Sequence, residues 1–207
     1  MPLQRCEPKA RQPKRGLLQL SRIAFGKSNQ SPRITLLLLL ASVQKAANIC
    51  LSAYLPICLE DSRTTIGDRN FALYDASLWN LALLASRMHW VWIASVCVRL
   101  EMRFSYSNTL GWNAFPVPTL TEKSKVDLTR CAERILLARE AHFPATIESL
   151  YDPETMPDNL RAAHERNDEV LERIYISRRF KNDTERLEKL FELYTEMTPV
   201  QKTRKAK

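Results

Sequence analysis

The sequence predicts an α+β chain, mainly α, in which a part built of a helix and strands precedes a small helical bundle. Three observations carry this expectation. All four tryptophans, Trp79, Trp90, Trp92 and Trp112, fall between residues 34 and 118, together with Phe71, Tyr74, Phe104, Tyr106 and Phe115. Residues 99–106 alternate, with Leu100, Met102, Phe104 and Tyr106 on one side and Arg99, Glu101, Arg103 and Ser105 on the other, the period-two signature of a half-exposed strand. From residue 119 onward, apolar residues recur at helical spacing between cap signals and prolines. A chain of 207 residues that is 45% hydrophobic and 26% charged has the make-up of one globular domain or two small ones.

Residues 1–33 carry eight basic side chains against Glu7 and show no apolar periodicity, which predicts a disordered basic segment, with a phosphate-binding arm as the alternative. The apolar run 34–41, with its five consecutive leucines, is far shorter than the roughly 20 residues a membrane helix needs, so a buried strand or helix segment is expected there. A signal peptide would be preceded by an unusually long basic leader, which argues for a cytoplasmic chain without membrane contact. Residues 75–96 open with Asp75 or Ser77 as cap and predict one buried helix, with Leu78, Ala82, Ala85, Met88 and Trp92 at helical spacing. After the strand at 99–106, Gly111, Pro116 and Pro118 mark a turn and an extended exit.

Thr119 and Glu122 stand three apart as a capping box, and Val126, Cys131, Ile135 and Ala138 form the stripe of a helix reaching about His142. A short apolar turn, 147–151, precedes Pro153 and Pro157. Asp158 is placed to cap a helix burying Leu160, Ala163, Val170, Leu171 and Ile174, and Asp183 one burying Leu187, Leu190, Phe191 and Tyr194. Residues 199–207 form a basic tail. The expected division is thus 1–33, 34–118, 119–198 and 199–207.

The net charge of +8 lies wholly in residues 1–118, because residues 119–207 balance 17 Lys and Arg against 17 Asp and Glu. Charge alone is therefore a weak argument for nucleic acid here. The five cysteines form no C-x-x-C pair and the three histidines stand apart from them, so neither a disulfide framework nor a zinc site is indicated. Only Gly16, Gly26, Gly67 and Gly111 occur, too few and too scattered for a phosphate or nucleotide cradle, and no catalytic constellation is visible.

The run 78–118, LWNLALLASRMHWVWIASVCVRLEMRFSYSNTLGWNAFPVP, resembles the final part of the target-recognition domain of MmeI-like restriction-modification enzymes, which are adenine-specific DNA methyltransferases. The cues are a helix ending in S-R-M-H, a strand ending in F-S-Y-S, and the aromatic exit F-P-V-P. The continuation through residue 198 is similar to the C-terminal helical region of the same enzymes. The resemblance implies recognition of double-stranded DNA, in a polypeptide whose other domains use S-adenosylmethionine and an N-P-P-Y motif to methylate a flipped adenine. This chain has neither the glycine loop nor N-P-P-Y, so no cofactor is expected within it. Its expected partners are DNA and the missing methyltransferase domain. A free-standing specificity module acting in trans is the alternative. Before Tyr54, Leu55 and Pro56 the sequence departs from the family, through either a shifted reading frame or a divergent segment.

The resemblance assigns base reading to Glu101 and Arg103, since charged residues at the matching positions vary between enzymes of different specificity. An arginine fork matches the two acceptors of guanine and a glutamate accepts from the cytosine amine. Arg99, Ser105 and Ser107 are candidate backbone contacts. Arg130, Arg134 and Arg139 are interleaved with Glu133 and Glu140 and read as a solvated face, while Trp79, Trp90 and Trp92 read as core.

Overall fold

The computed structural model describes residues 35–38, 54–60, 71–100 and 103–198; the segments 1–33 and 199–207 lie outside the described residues. Three short strands, β1 (Thr35–Leu38), β2 (Cys58–Glu60) and β3 (Phe71–Leu73), form an antiparallel sheet in the order β2-β1-β3. The leucine run is therefore a central strand where it is described. Its two candidate conformations reduce to one.

The helix expected over 75–96 is broken. Helix α1 (Trp79–Leu84) and helix α2 (Arg87–Val96) are separated at Ala85 and Ser86, and Ser86 adopts an extended backbone with φ −88° and ψ 156°. Ser86 is itself the cause of the break. Its hydroxyl donates to the Leu83 carbonyl at 2.6 Å and accepts from the His89 amide at 3.2 Å, closing one helix and opening the next. Neither Asp75 nor Ser77 caps α1 by its side chain; Asp75 sits in a left-handed turn at φ 53°.

The strand expected over 99–106 is also two elements. β4 (Val98–Leu100) and β5 (Arg103–Ser105) pair antiparallel, with Leu100 opposite Arg103, Arg99 opposite Phe104 and Val98 opposite Ser105. Leu100 and Arg103, assigned to opposite faces of one strand, are cross-strand partners. Alternation of side chains does not distinguish a strand from a tight hairpin, because both preserve period two on either arm.

A π-helical turn (Asn108–Trp112) leads to helix α3 (Glu122–Glu140), the single-turn helix α4 (Ile147–Leu150), helix α5 (Asp158–Ile176) and helix α6 (Asp183–Met197). The caps shift by one or two residues from those expected. Thr121 rather than Thr119 caps α3, Pro157 precedes α5, and Asn182 rather than Asp183 caps α6. The α3 stripe is Leu128, Cys131, Ala132, Ile135 and Arg139, which leaves Val126 50% exposed. Helix α3 packs on α1 and α5, and α2 packs on α6, so one hydrophobic cluster runs from Tyr54 to Leu190. Among the described residues no helix is long and apolar enough to cross a membrane.

Helix α5 closes the break between α1 and α2. Its buried stripe is Leu160, His164, Asn167, Asp168, Leu171, Glu172 and Tyr175, more than half of it polar. The Asn167 amide donates to the Ala82 carbonyl at 2.8 Å, and the Arg87 amide donates to Asp168 at 2.7 Å. His164 Nδ1 lies 3.2 Å from the Ala85 carbonyl, which can only accept, so Nδ1 carries the proton and Nε2 accepts from the Tyr151 hydroxyl at 2.8 Å. Tyr151 in turn accepts from Arg139, which also donates to the Ile57 carbonyl. Glu172, fully buried, receives Arg186 and the Phe180 amide, and Arg186 continues to Asp183 and on to Arg87.

Burial leaves three of these groups neutral over much of the pH range. It raises the Asp168 carboxyl to about 7 and lowers His164 and His89 to about 3 each. Between about pH 4 and 7 native Asp168 keeps a proton the unfolded chain has released, so its contribution to stability falls as pH rises through that window. The two histidines act in the opposite sense between about pH 3 and 6.5, where only the unfolded chain binds their protons. Asp168→Asn mimics the neutral acid. We predict that it raises the melting temperature by several degrees at pH 8 to 9 and changes it little at pH 5, as read by thermal melts. Equal effects at both pH values would mean that Asp168 is charged throughout.

Candidate nucleic-acid interface

The β4–β5 hairpin is held at its two roots. Cys97, just before β4, and Tyr106, just after β5, are buried, whereas the first cross-strand pair, Val98 and Ser105, is already exposed. Burial pushes the Tyr106 phenol well up and the Cys97 thiol up, so both roots stay uncharged. Tyr106 Oη meets His89 Nε2 at 3.3 Å, and its ring packs on Phe71 with centroids 5.3 Å apart. His89 is fully buried on α2 and lies edge-on to Phe115 at 4.8 Å. The hairpin root is thus tied to the S-R-M-H helix through its own histidine.

The π-helical turn supports the same root from the other side. Ser107 accepts the Leu110 amide at 3.3 Å, and the Leu110 carbonyl accepts Trp92 Nε1 at 2.9 Å. Trp92 itself, 1% exposed, packs against Phe115, Phe191 and Tyr194, which fixes the turn to α2 and α6 together. Gly111 is required here by space. A Cβ on it would stand 2.8 Å from the Tyr106 ring.

The residues assigned from sequence fall on this hairpin and its exit. Glu101 lies outside the described residues, between the paired ends Leu100 and Arg103. Arg103 opens β5, Arg99 is the middle residue of β4, and Ser105 is exposed at the end of β5. Ser107 already has an accepting role in the turn, which leaves its O–H as the group available to a phosphate. Arg139 is only 8% exposed and bound to Tyr151 and Ile57, so it belongs to the core and not to the solvated face assigned to it. Trp90 and Trp92 are core, as expected, while Trp79 is half-buried.

Two domain models of one family match this chain in succession: the MmeI target recognition domain over residues 24–119, and the MmeI C-terminal domain over residues 120–201. The chain belongs to the MmeI-like family. It is 39% identical over 145 residues to DNA methyltransferase A of Bacillus subtilis (strain 168), covering 70% of this chain and 16% of that protein. It also matches the solved structure of the type IIL restriction-modification enzyme MmeI in complex with DNA, at 30% identity and a TM-score of 0.74. That match covers 82% of this chain and 22% of the MmeI chain. The chain therefore spans about a fifth of the proteins it resembles.

The described glycine, Gly111, faces an aromatic ring rather than an open cradle. Burial raises the thiols of Cys58, Cys97 and Cys131, so none is a poised nucleophile. We predict that Gly111→Ala lowers stability by about 1–3 kcal/mol, because the Tyr106 ring must leave its site against His89 and Phe71. A chemical-denaturation midpoint equal to that of the parent chain would refute this account of the hairpin root.

Proposed function

We propose that this chain reads DNA sequence as the recognition end of an adenine-specific, S-adenosylmethionine-dependent DNA methyltransferase of the restriction-modification type. The observation that carries the reading is a hairpin with a packed root, whose first cross-strand pair, Val98 and Ser105, is exposed, in the segment to which the MmeI resemblance assigns base contacts. In sequence Glu101 follows β4 directly, and Arg103 opens β5. A two-stranded ribbon is narrow enough to enter the major groove, where arginine and glutamate together read both bases of a C:G pair. Each such contact contributes about 1–3 kcal/mol of discrimination. Arg99, Ser105 and Ser107 contact the sugar-phosphate backbone and set the register.

Methyl transfer belongs to domains that these residues do not contain. The partner of this chain is then the methyltransferase domain of the longer relatives, in the same polypeptide or in trans. The trans reading draws support from the continuous core that joins the hairpin region to the C-terminal helices.

Two measurements test the proposal. The purified chain incubated with labelled S-adenosylmethionine and mixed-sequence duplex is expected to transfer no methyl groups above a no-protein control. Grafting residues 100–106 into a longer relative, followed by Glu101→Lys with Arg103→Asp, is expected to change the methylated sequence at one base-pair position. Unchanged specificity at full activity would remove Glu101 and Arg103 from base reading.

A further inference from the structure

Helices α3 and α5 enclose an open groove of about 530 Å³ whose lining includes Lys123, Arg130 and Arg134 from α3, and Arg166 and Arg173 from α5. Asp127 supplies the one carboxylate in the lining, and it stands 3.7 Å from Arg130. Glu169 pairs with both Arg166 and Arg173, at 2.5 and 2.6 Å, and holds those two in place. Lys123 and Arg134 have no ion-pair partner among the described residues. Residues 119–207 balance acid and base, so this concentration of cations is a segregation of charge within a neutral region and not a consequence of composition.

We propose that the α3–α5 groove holds the phosphate backbone of duplex DNA, as a sequence-independent contact separate from the hairpin. The inference rests on the reading of the chain as DNA-recognising. Lys123, Arg130 and Arg134 are spaced by seven and four residues, which sets them in one row about 16 Å long on α3. A duplex presents a phosphate on each strand every ~3.4 Å of axis, so the row faces several phosphates in succession. Arg166 and Arg173 form a parallel row on the opposite wall. Arginines and a lysine without base-reading geometry neutralise charge and position the duplex, and their contribution weakens with salt.

The test uses the full chain and a fluorescent mixed-sequence duplex, with affinity followed by anisotropy over a salt series. The variant Lys123→Gln, Arg130→Gln, Arg134→Gln removes three exposed charges, and an unchanged thermal melt shows that it folds. A control removes the same charge outside the groove through Arg161→Gln, Lys181→Gln and Lys189→Gln. The groove variant is expected to lose roughly tenfold or more in affinity at low salt and to flatten the slope of log affinity against log salt by about 2 to 3. The control is expected to change the slope little. Equal losses in both variants would reduce the effect to net charge and overturn the proposal. Wild-type affinity in the groove variant would assign the groove to an acidic protein surface, which also overturns it. A parent chain that binds no duplex would do the same, while the hairpin reading, tested in a longer relative, stands or falls on its own.

Discussion

The break between α1 and α2 is the constraint around which the chain is arranged. Interrupting a buried helix leaves carbonyls at the end of one segment and amides at the start of the next without intrahelical partners. Each such group left unpaired in a core costs about 1–3 kcal/mol. Ser86 serves two of them, and α5 serves the Ala82 and Ala85 carbonyls and the Arg87 amide through Asn167, His164 and Asp168. Tyr175 adds a bond to the Pro116 carbonyl at 2.8 Å, further along the same helix. The orientation of α5 is thus set by backbone groups of the aromatic region. In turn α5 fixes Tyr151 and Arg139, and through Glu172 and Arg186 it fixes α6.

Much of this was legible in sequence, and the rest failed for identifiable reasons. Apolar periodicity located the helices because burial of leucine and isoleucine dominates their energetics. It found the apolar part of the buried face of α5 but missed the polar part, His164, Asn167, Asp168 and Glu172. A polar residue is buried only when a partner meets it, and for His164, Asn167 and Asp168 partners lie about 80 residues away in the chain. Arg139 went unrecognised for the same reason, since its partners Tyr151 and Ile57 come from separate elements. The cap shifts at Thr121 and Asn182 are ordinary, because several residues near each start can accept the first amides. The hairpin hid within a period-two pattern that both of its arms obey.

The candidate site shows a complementary split. Tyr106, His89, Trp92 and Gly111 form a packed root with little freedom, and β4 and β5 leave it at the exposed pair Val98 and Ser105. Contacts that must discriminate between bases need placement to a fraction of an ångström, which loops achieve only when their ends are fixed. The sequence showed the root as the S-R-M-H and F-S-Y-S cues without showing that histidine and tyrosine from the two cues meet. The basic groove was less visible still, because its cations come from two helices and are interleaved in sequence with acids, of which Asp127 alone lines the groove.

The way α5 seals the α1–α2 break has a consequence for what the junction requires of its residues. Its donors and acceptor address main-chain carbonyls and an amide, which every residue except proline presents in the same form. These three bonds therefore depend on the local backbone geometry set by Ser86, whereas the side chains at the same positions are held separately, Ala82 and Ala85 by burial in the core and Arg87 by its pair with Asp183. The junction thus joins two kinds of constraint, a main-chain part that any residue but proline can present and a side-chain part in which Trp92 meets Phe191 and Tyr194.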